Sequence, residues 1–249
     1  MGQADIYHEM IGGDPARPLL VFLHEGLGCI AMWGDFPQRL CAATGCEGLV
    51  YDRLGYGRSG PLRAARSIHY LHESALVELP SMLAALAPGR QHIVVGHSDG
   101  GSIALIYAAG NPPGLRGVVT AAAHVFVEAI TLEGIRVALD AHGAGKLRGL
   151  SRYHGDRAPQ VFSSWADTWL AAPFAHWNIE YLLPAIACPV LALQGDCDQY
   201  GSGRQLDAIA KKAPDARQFV IADCGHSPHL EQPGATLDAM AGFINPLAA

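Results

Sequence analysis

Apolar residues along this chain come in short, nearly unbroken runs, separated by stretches where they recur every three or four positions. The runs "PLLVFLHE" (18–25), "GLVYD" (48–52), "QHIVVGH" (91–97), "RGVVTAAA" (116–123), "CPVLALQG" (188–195) and "RQFVIAD" (217–223) have the length and β-branched content of strands. Most are apolar on both faces, which predicts buried parallel strands in a sheet covered by helices on each side. "DIYHEMI" (5–11) alternates loosely and predicts an antiparallel edge strand. Leu76, Leu79, Leu83 and Leu86 recur at helical spacing and predict a helix over 70–87, in which Pro80 must either open the helix proper or kink it. Further helices are expected over 99–110, 203–212 and 233–243, each closing near Gly, Asn or Pro.

One segment breaks the alternation. Residues 124–183 have helical character, several glycines ("DAHGAGKLRG") and Trp165, Trp169 and Trp177, three of the four tryptophans. Sixty residues without a strand exceed an ordinary crossover. The expected organisation is therefore one α/β core made of 1–123 and 184–249, with 124–183 inserted as a helical cap; enlarged crossover helices are the plainer alternative.

Composition narrows the class of partner. Half of the 249 residues are hydrophobic, ample for a buried core, and the formal charge is −6. No strong positive field exists to hold nucleic acid or an anionic membrane, so a small molecule is the expected partner. "MGQADIYHEM" lacks a basic and an apolar region of the signal-peptide kind, and no apolar run approaches membrane-spanning length, which leads to the expectation of a cytoplasmic protein. Met1 and Gly2 suggest myristoylation, but Ile6 stands where that motif has Ser or Thr. Six cysteines are scattered without zinc-type spacing, so reduced, mostly buried thiols are expected and no metal. Cys197 and Cys224, beside the acidic and basic candidates below, are expected to be oxidant-sensitive. A homo-oligomer stays open, with no symmetry signal.

The chemistry starts at "VVGHSDGGSIAL" (94–105). Gly96-His97-Ser98-Asp99-Gly100 fits G-x-S-x-G, a strand-to-helix turn so sharp that glycines must flank the serine two positions either side. The strain projects the hydroxyl from the carboxyl edge of the sheet, where the following helix points N–H groups at developing negative charge. A serine hydroxyl needs a base. Among twelve histidines, His226 lies in a Gly-containing turn just after the last strand, at that same edge. His229, three residues on, competes, with a surface or capping role as its plainer reading. The base needs a carboxylate to hold its tautomer, and "LALQGDCDQYG" offers Asp196 and Asp198.

Five segments, "LLVFLHEGLG", "YDRLGYGRSG", "VVGHSDGG", "LALQGDCDQYG" and "CGHSPHLEQP", together resemble the α/β-hydrolase fold superfamily over residues 19–233, in the manner of its capped serine carboxylesterases and ring-cleavage-product hydrolases. The resemblance implies a mostly parallel sheet flanked by helices, no cofactor, and a triad of Ser98, Asp198 and His226, with Asp196 second to Asp198. It also implies an oxyanion hole from the backbone N–H groups of Asp99 and Gly26, with Leu27 as the alternative to Gly26. Glu25 departs from the usual H-G-G or H-G-x loop; a carboxylate beside an anion site should turn away to a basic side chain, for which Arg53 is the candidate. Asp99 departs from the commoner apolar residue, but only its N–H is needed. The arginines of "YDRLGYGRSG", Arg53 and Arg58, are expected to be structural. Leu27, His124, Trp165 and Trp169 are candidate substrate contacts, as is Trp177; burial with satisfied hydrogen bonds is the plainer role for His124, and cap core for any one tryptophan.

The expected activity is hydrolysis of a small-to-medium carboxylic ester through an acyl-enzyme on Ser98. Carbon–carbon bond hydrolysis of ring-cleavage dienoates, lactone or thioester hydrolysis, and a non-catalytic small-ligand receptor are the alternatives. Aspartate-dependent dehalogenation is disfavoured by the serine at 98, and perhydrolase or haloperoxidase chemistry ranks lower. A dinucleotide-binding reading of "GLGCIA" (26–31), with Asp52 as ribose ligand, leaves the serine turn idle, and Trp33, Phe36 and Pro37 crowd its helix start.

Overall fold

The apolar runs pair as a seven-stranded sheet in the order β1-β3-β2-β4-β5-β6-β7. A computed structural model describes residues 6–62 and 65–249. The Met1-Gly2 reading and Asp5 of the first expected strand lie outside them. β1 (His8–Ile11) is antiparallel to β3 (Gly48–Tyr51) and forms one edge, as its loose alternation indicates. β2 (Leu19–Leu23), β4 (His92–His97), β5 (Leu115–Ala121), β6 (Val190–Gly195) and β7 (Ala216–Ile221) continue in parallel.

Because successive strand residues face opposite ways, β2 feeds two cores. Leu19, Val21 and Leu23 join the one shared with helices on one face, and Leu20 and Phe22 join the one on the other. α1 (Phe36–Thr44) covers the second face together with the C-terminal helix. The first face receives α2 (Tyr70–Glu73), α3 (Leu79–Leu86) and α4 (Asp99–Ala109).

Two sequence expectations change here. The helix predicted over 70–87 is split by a π-turn at Ser74–Glu78, in which Leu79 N–H donates to Ser74 O five residues back, and Pro80 then sits in the first turn of α3. Proline lacks the N–H of an α-helical bond and crowds the carbonyl four residues earlier, so one wider turn lets the chain run on without a break. β7, read as buried, is an exposed edge: Phe219 and Val220 are 42% and 57% exposed. Its composition resembles that of the inner strands, but no eighth strand pairs with it among the described residues.

β5 and β6 are joined by the helical segment, with α5 (Ala129–Gly143), α6 (Ser151–His154), α7 (Ala158–Leu170) and several 3-10 turns. Its Phe162, Trp165, Trp169 and Phe174 pack into the core of the first face. α8 (Arg204–Lys212) follows β6; α9 (Pro228–Glu231) and α10 (Pro233–Leu247) follow β7. Among the described residues no helix is long and apolar enough to cross a membrane.

The serine turn depends on backbone contact. A Cβ on Gly100 would overlap Leu23 O and one on Gly96 would overlap Gly100 O, so β2, β4 and α4 approach more closely than any side chain permits. Gly100→Ala is therefore expected to cost about 3 kcal/mol or more. Denaturant unfolding would check this; a cost under about 1 kcal/mol would show the approach to be elastic.

Candidate active site

Ser98 stands between β4 and α4 with φ 52° and ψ −116°, a left-handed conformation that non-glycine residues avoid. Two main-chain bonds hold it: Ser98 N–H donates to Ala121 O (2.8 Å), and Ser98 O accepts from Ser102 N–H (3.0 Å). Neighbouring backbone thus pays the conformational cost, and the hydroxyl is left free to serve chemistry.

His226 Nε2 lies 2.9 Å from Ser98 Oγ, and His226 Nδ1 lies 2.9 Å from Asp198 Oδ1. An ionised carboxylate can only accept, so Nδ1 carries the ring proton and Nε2 presents its lone pair to the serine hydroxyl. Asp198 Oδ1 also accepts from Tyr200 N–H (2.8 Å) and Gly201 N–H (3.3 Å), while Oδ2 accepts from Gln194 Nε2 (3.1 Å). Burial alone would raise this carboxyl; the hydrogen bond and charge of His226, with the Tyr200 N–H, outweigh it and hold the group below its ordinary value. Asp196 is exposed and its Oδ1 accepts from Cys224 N–H (3.3 Å), whereas His226 Nδ1 meets Asp198, so the contact to the base belongs to Asp198. His97 Nε2–H donates to His226 O (2.7 Å), fixing the loop that carries the ring.

The three side chains open on a cavity of about 190 Å³. Gly26, Leu27, Asp99, His124, Trp165 and Trp169 all reach its wall. Gly26 must be glycine because a Cβ there would lie 2.5 Å from Trp165 Cδ1. Leu27 N–H is taken by Glu25 Oε2 (2.6 Å), which removes it as the alternative to Gly26. Asp99 opens α4, so its N–H has no intrahelical acceptor. His124 both faces the cavity and donates through Nε2 to Tyr200 O (3.1 Å). Trp177 instead stacks on Phe174 (5.6 Å, 8°), away from the wall.

Several expectations need correction. Arg53 does not pair with the Glu25 carboxylate. Its Nη2 lies 3.8 Å from Asp99 Oδ2 and donates to the backbone oxygen of Glu25 (2.8 Å), while the Glu25 side chain curls back onto the Leu27 amide. Burial raises the Glu25 carboxyl, and the Leu27 N–H opposes this. His229 is neither surface nor cap: it is buried against Trp33 (4.7 Å), His97 (4.9 Å) and Phe36 (5.9 Å). Cys224 is buried, and burial pushes its thiol up to about 11; the Asp196 carboxylate raises Cys197, the exposed one. Both shifts disfavour the thiolate, and with it the expected oxidant sensitivity. "GLGCIA" leads into a 3-10 turn at Ile30–Trp33, and the Asp52 carboxylate is occupied by the N–H groups of Ile30 and Arg58 (2.7 Å each), so no phosphate-binding helix or free ribose ligand exists there.

Tyr200, whose ring lies 4.8 Å from that of His226, and Thr131, Ile135 and Leu150 of the helical segment also line the cavity. No motif marks them; only the proximity of Tyr200 to Asp198 in "GDCDQYG" hinted at one.

A parallel sheet with a serine projected at its carboxyl edge, an imidazole within reach and a carboxylate behind it defines an α/β-hydrolase enzyme. The chain belongs to the alpha/beta hydrolase family, whose sequence model matches residues 20–239. It is 25% identical over 260 residues to 2-succinyl-6-hydroxy-2,4-cyclohexadiene-1-carboxylate synthase of Salmonella paratyphi A, a match covering 96% of this chain and 98% of that protein. Its fold is similar to those of the enol-lactonase from Burkholderia xenovorans LB400 (TM-score 0.75, 16% identity, 96% of this chain and 95% of the other) and an esterase from Thermogutta terrifontis (TM-score 0.68, 21% identity, 98% and 94%).

Proposed function

We propose that the protein is a serine hydrolase of small, uncharged carboxylic esters. The observation carrying this reading is the unbroken relay Ser98 Oγ–His226–Asp198 at the wall of a small, largely apolar cavity. His226 takes the Ser98 proton as Oγ attacks the carbonyl carbon, Asp198 stabilises the imidazolium, and the N–H groups of Gly26 and Asp99 receive the oxyanion. His226 then protonates the leaving alcohol. Water, deprotonated by the same ring, attacks the acyl-enzyme and returns Ser98 to its hydroxyl form. The helical segment acts as a cap, with Trp165 and Trp169 as its apolar wall, His124 edge-on to Trp169 (5.2 Å between rings) and Leu27 also lining the cavity.

Size and charge narrow the substrate. A cavity of about 190 Å³ falls below the roughly 300–1,000 Å³ of drug-sized sites, which favours a short acyl group. The relative named as a carboxylate synthase raises the alternative of an anionic substrate, which a ring-cleavage dienoate would also be. Against this, no Lys or Arg lines the cavity among the described residues, and Glu25 does. A substrate carboxylate would lose its hydration there without gaining a cationic partner.

Neutral p-nitrophenyl acetate and butyrate are expected to give an acyl-enzyme burst, with kcat/KM at least about tenfold above that of the matching hemisuccinate, since burying like charge together costs more than 1.4 kcal/mol. Absence of any turnover would favour a ligand receptor, and preference for the hemisuccinate or a dienoate carboxylate would overturn the neutral-ester reading.

A further inference from the structure

Arg53 is almost completely buried, yet Nε and Nη1 have no hydrogen-bond partner among the described residues. A buried guanidinium with two unpaired nitrogens is poorly explained by stability, because desolvation is not repaid by a complete set of bonds. Its engaged nitrogen, Nη2, donates to Glu25 O (2.8 Å). The same oxygen lies 2.8 Å from His24 Nδ1. Arg53 N–H donates to His24 Nε2 (3.1 Å), so that nitrogen is the bare one and Nδ1 carries the proton that Glu25 O accepts.

Glu25 O belongs to the peptide unit whose N–H is that of Gly26. Two donors on the carbonyl oxygen draw electron density along the amide and leave the N–H more positive. They also fix the plane of that peptide, while Tyr56, whose hydroxyl donates to Gly26 O (2.9 Å), holds the next one, Gly26–Leu27. We propose that Arg53 and His24 are positioning residues that clamp and polarise the Glu25–Gly26 peptide, making the Gly26 N–H a pre-aimed, strengthened oxyanion donor. This rests on the ester-hydrolase reading for its catalytic consequence, but the clamp itself is a property of the fold.

The competing explanation is that Arg53 only neutralises Asp99, 3.8 Å away and hydrogen-bonded by Tyr70 Oη (2.6 Å). The two roles separate by experiment. Arg53→Met is expected to lower kcat on p-nitrophenyl acetate by about 10- to 100-fold while KM stays within about threefold, because the lost stabilisation exists only in the transition state. Arg53→Lys, which keeps a cationic donor, should recover part of the rate. Arg53→Met/Asp99→Asn should not recover it; return to the wild-type rate in the double variant would overturn the clamp in favour of charge neutralisation. The Gly26 amide ¹⁵N resonance reports hydrogen bonding to the preceding carbonyl without any turnover, and is expected to move upfield in Arg53→Met. An unmoved resonance would also overturn the proposal. Should Arg53→Met not fold, His24→Gln, whose amide reaches the Nε2 position and so drops the Nδ1 donor, gives the same resonance readout. Inactive wild-type protein with a shifted Gly26 resonance in the variant would defeat the ester-hydrolase reading and leave the clamp standing.

Discussion

Ser98→Ala is expected to reduce turnover of p-nitrophenyl esters by about 10⁴-fold or more, because nucleophile, base and acid act as a unit and removing the nucleophile disables the others. What remains should be the modest acceleration due to oxyanion binding and substrate placement. The fold should survive: the main-chain bonds of Ser98 to Ala121 O and from Ser102 N–H do not use the side chain. A second substitution separates chemistry from strain. Ser98→Gly should be equally inactive but more stable than Ser98→Ala by about 1 kcal/mol, because only glycine adopts φ 52° and ψ −116° without a Cβ clash. Initial rates and denaturant midpoints measure both effects. Retention of most activity by Ser98→Ala would remove the nucleophile from the mechanism. A glycine variant less stable than the alanine variant would show that the turn stores no strain.

Acid is expected to destabilise the protein well above the pH at which carboxylates titrate. His229 is 5% exposed among aromatic rings, and burial depresses its pKa to about 4. In the unfolded chain it titrates near 6.5. Between those values the unfolded state binds a proton that the native state refuses, so stability falls as the pH drops from about 6.5 to 4, by something of the order of 3 kcal/mol for this residue. Burial also lowers His24, His72, His92, His97, His124 and His154, the first and fourth of these most strongly, and each adds in the same direction. Glu25 and Asp52, raised by burial, work the other way but are fewer. Denaturant midpoints at pH 7, 6, 5 and 4.5 should fall steadily, and His229→Phe should flatten the slope. A midpoint constant down to pH 5 would mean that the buried imidazoles find solvent or partners before they protonate.

Much of the site was legible because the constraint is local. The Ser98 turn is announced by Gly96 and Gly100, residues that the backbone requires within two positions of the serine. Asp198 and His226 sit in turns that directly follow apolar runs, so strand direction places them at one edge. The pairing of Arg53 with Asp99 was not legible, since it joins the loop after β3 to the start of α4, and nothing in either stretch ranks Asp99 above Glu25 as the partner. The burial of His229 was hidden similarly: Trp33 and Phe36, nearly two hundred positions earlier, close over it.

By itself, then, the amino-acid order determined most of the strands, the strained serine turn and a short set of candidates at its edge, Asp196 or Asp198 and His226 or His229, because hydrophobic period and glycine placement act on the backbone over a few residues. Tertiary structure alone decided that β7 is an exposed edge, that the turn before Pro80 widens, and that Glu25 folds onto the Leu27 amide while a buried arginine grips its carbonyl. Those outcomes depend on which distant surfaces meet and which charges are left unpaired when water is expelled, and neither is encoded in any short stretch of chain.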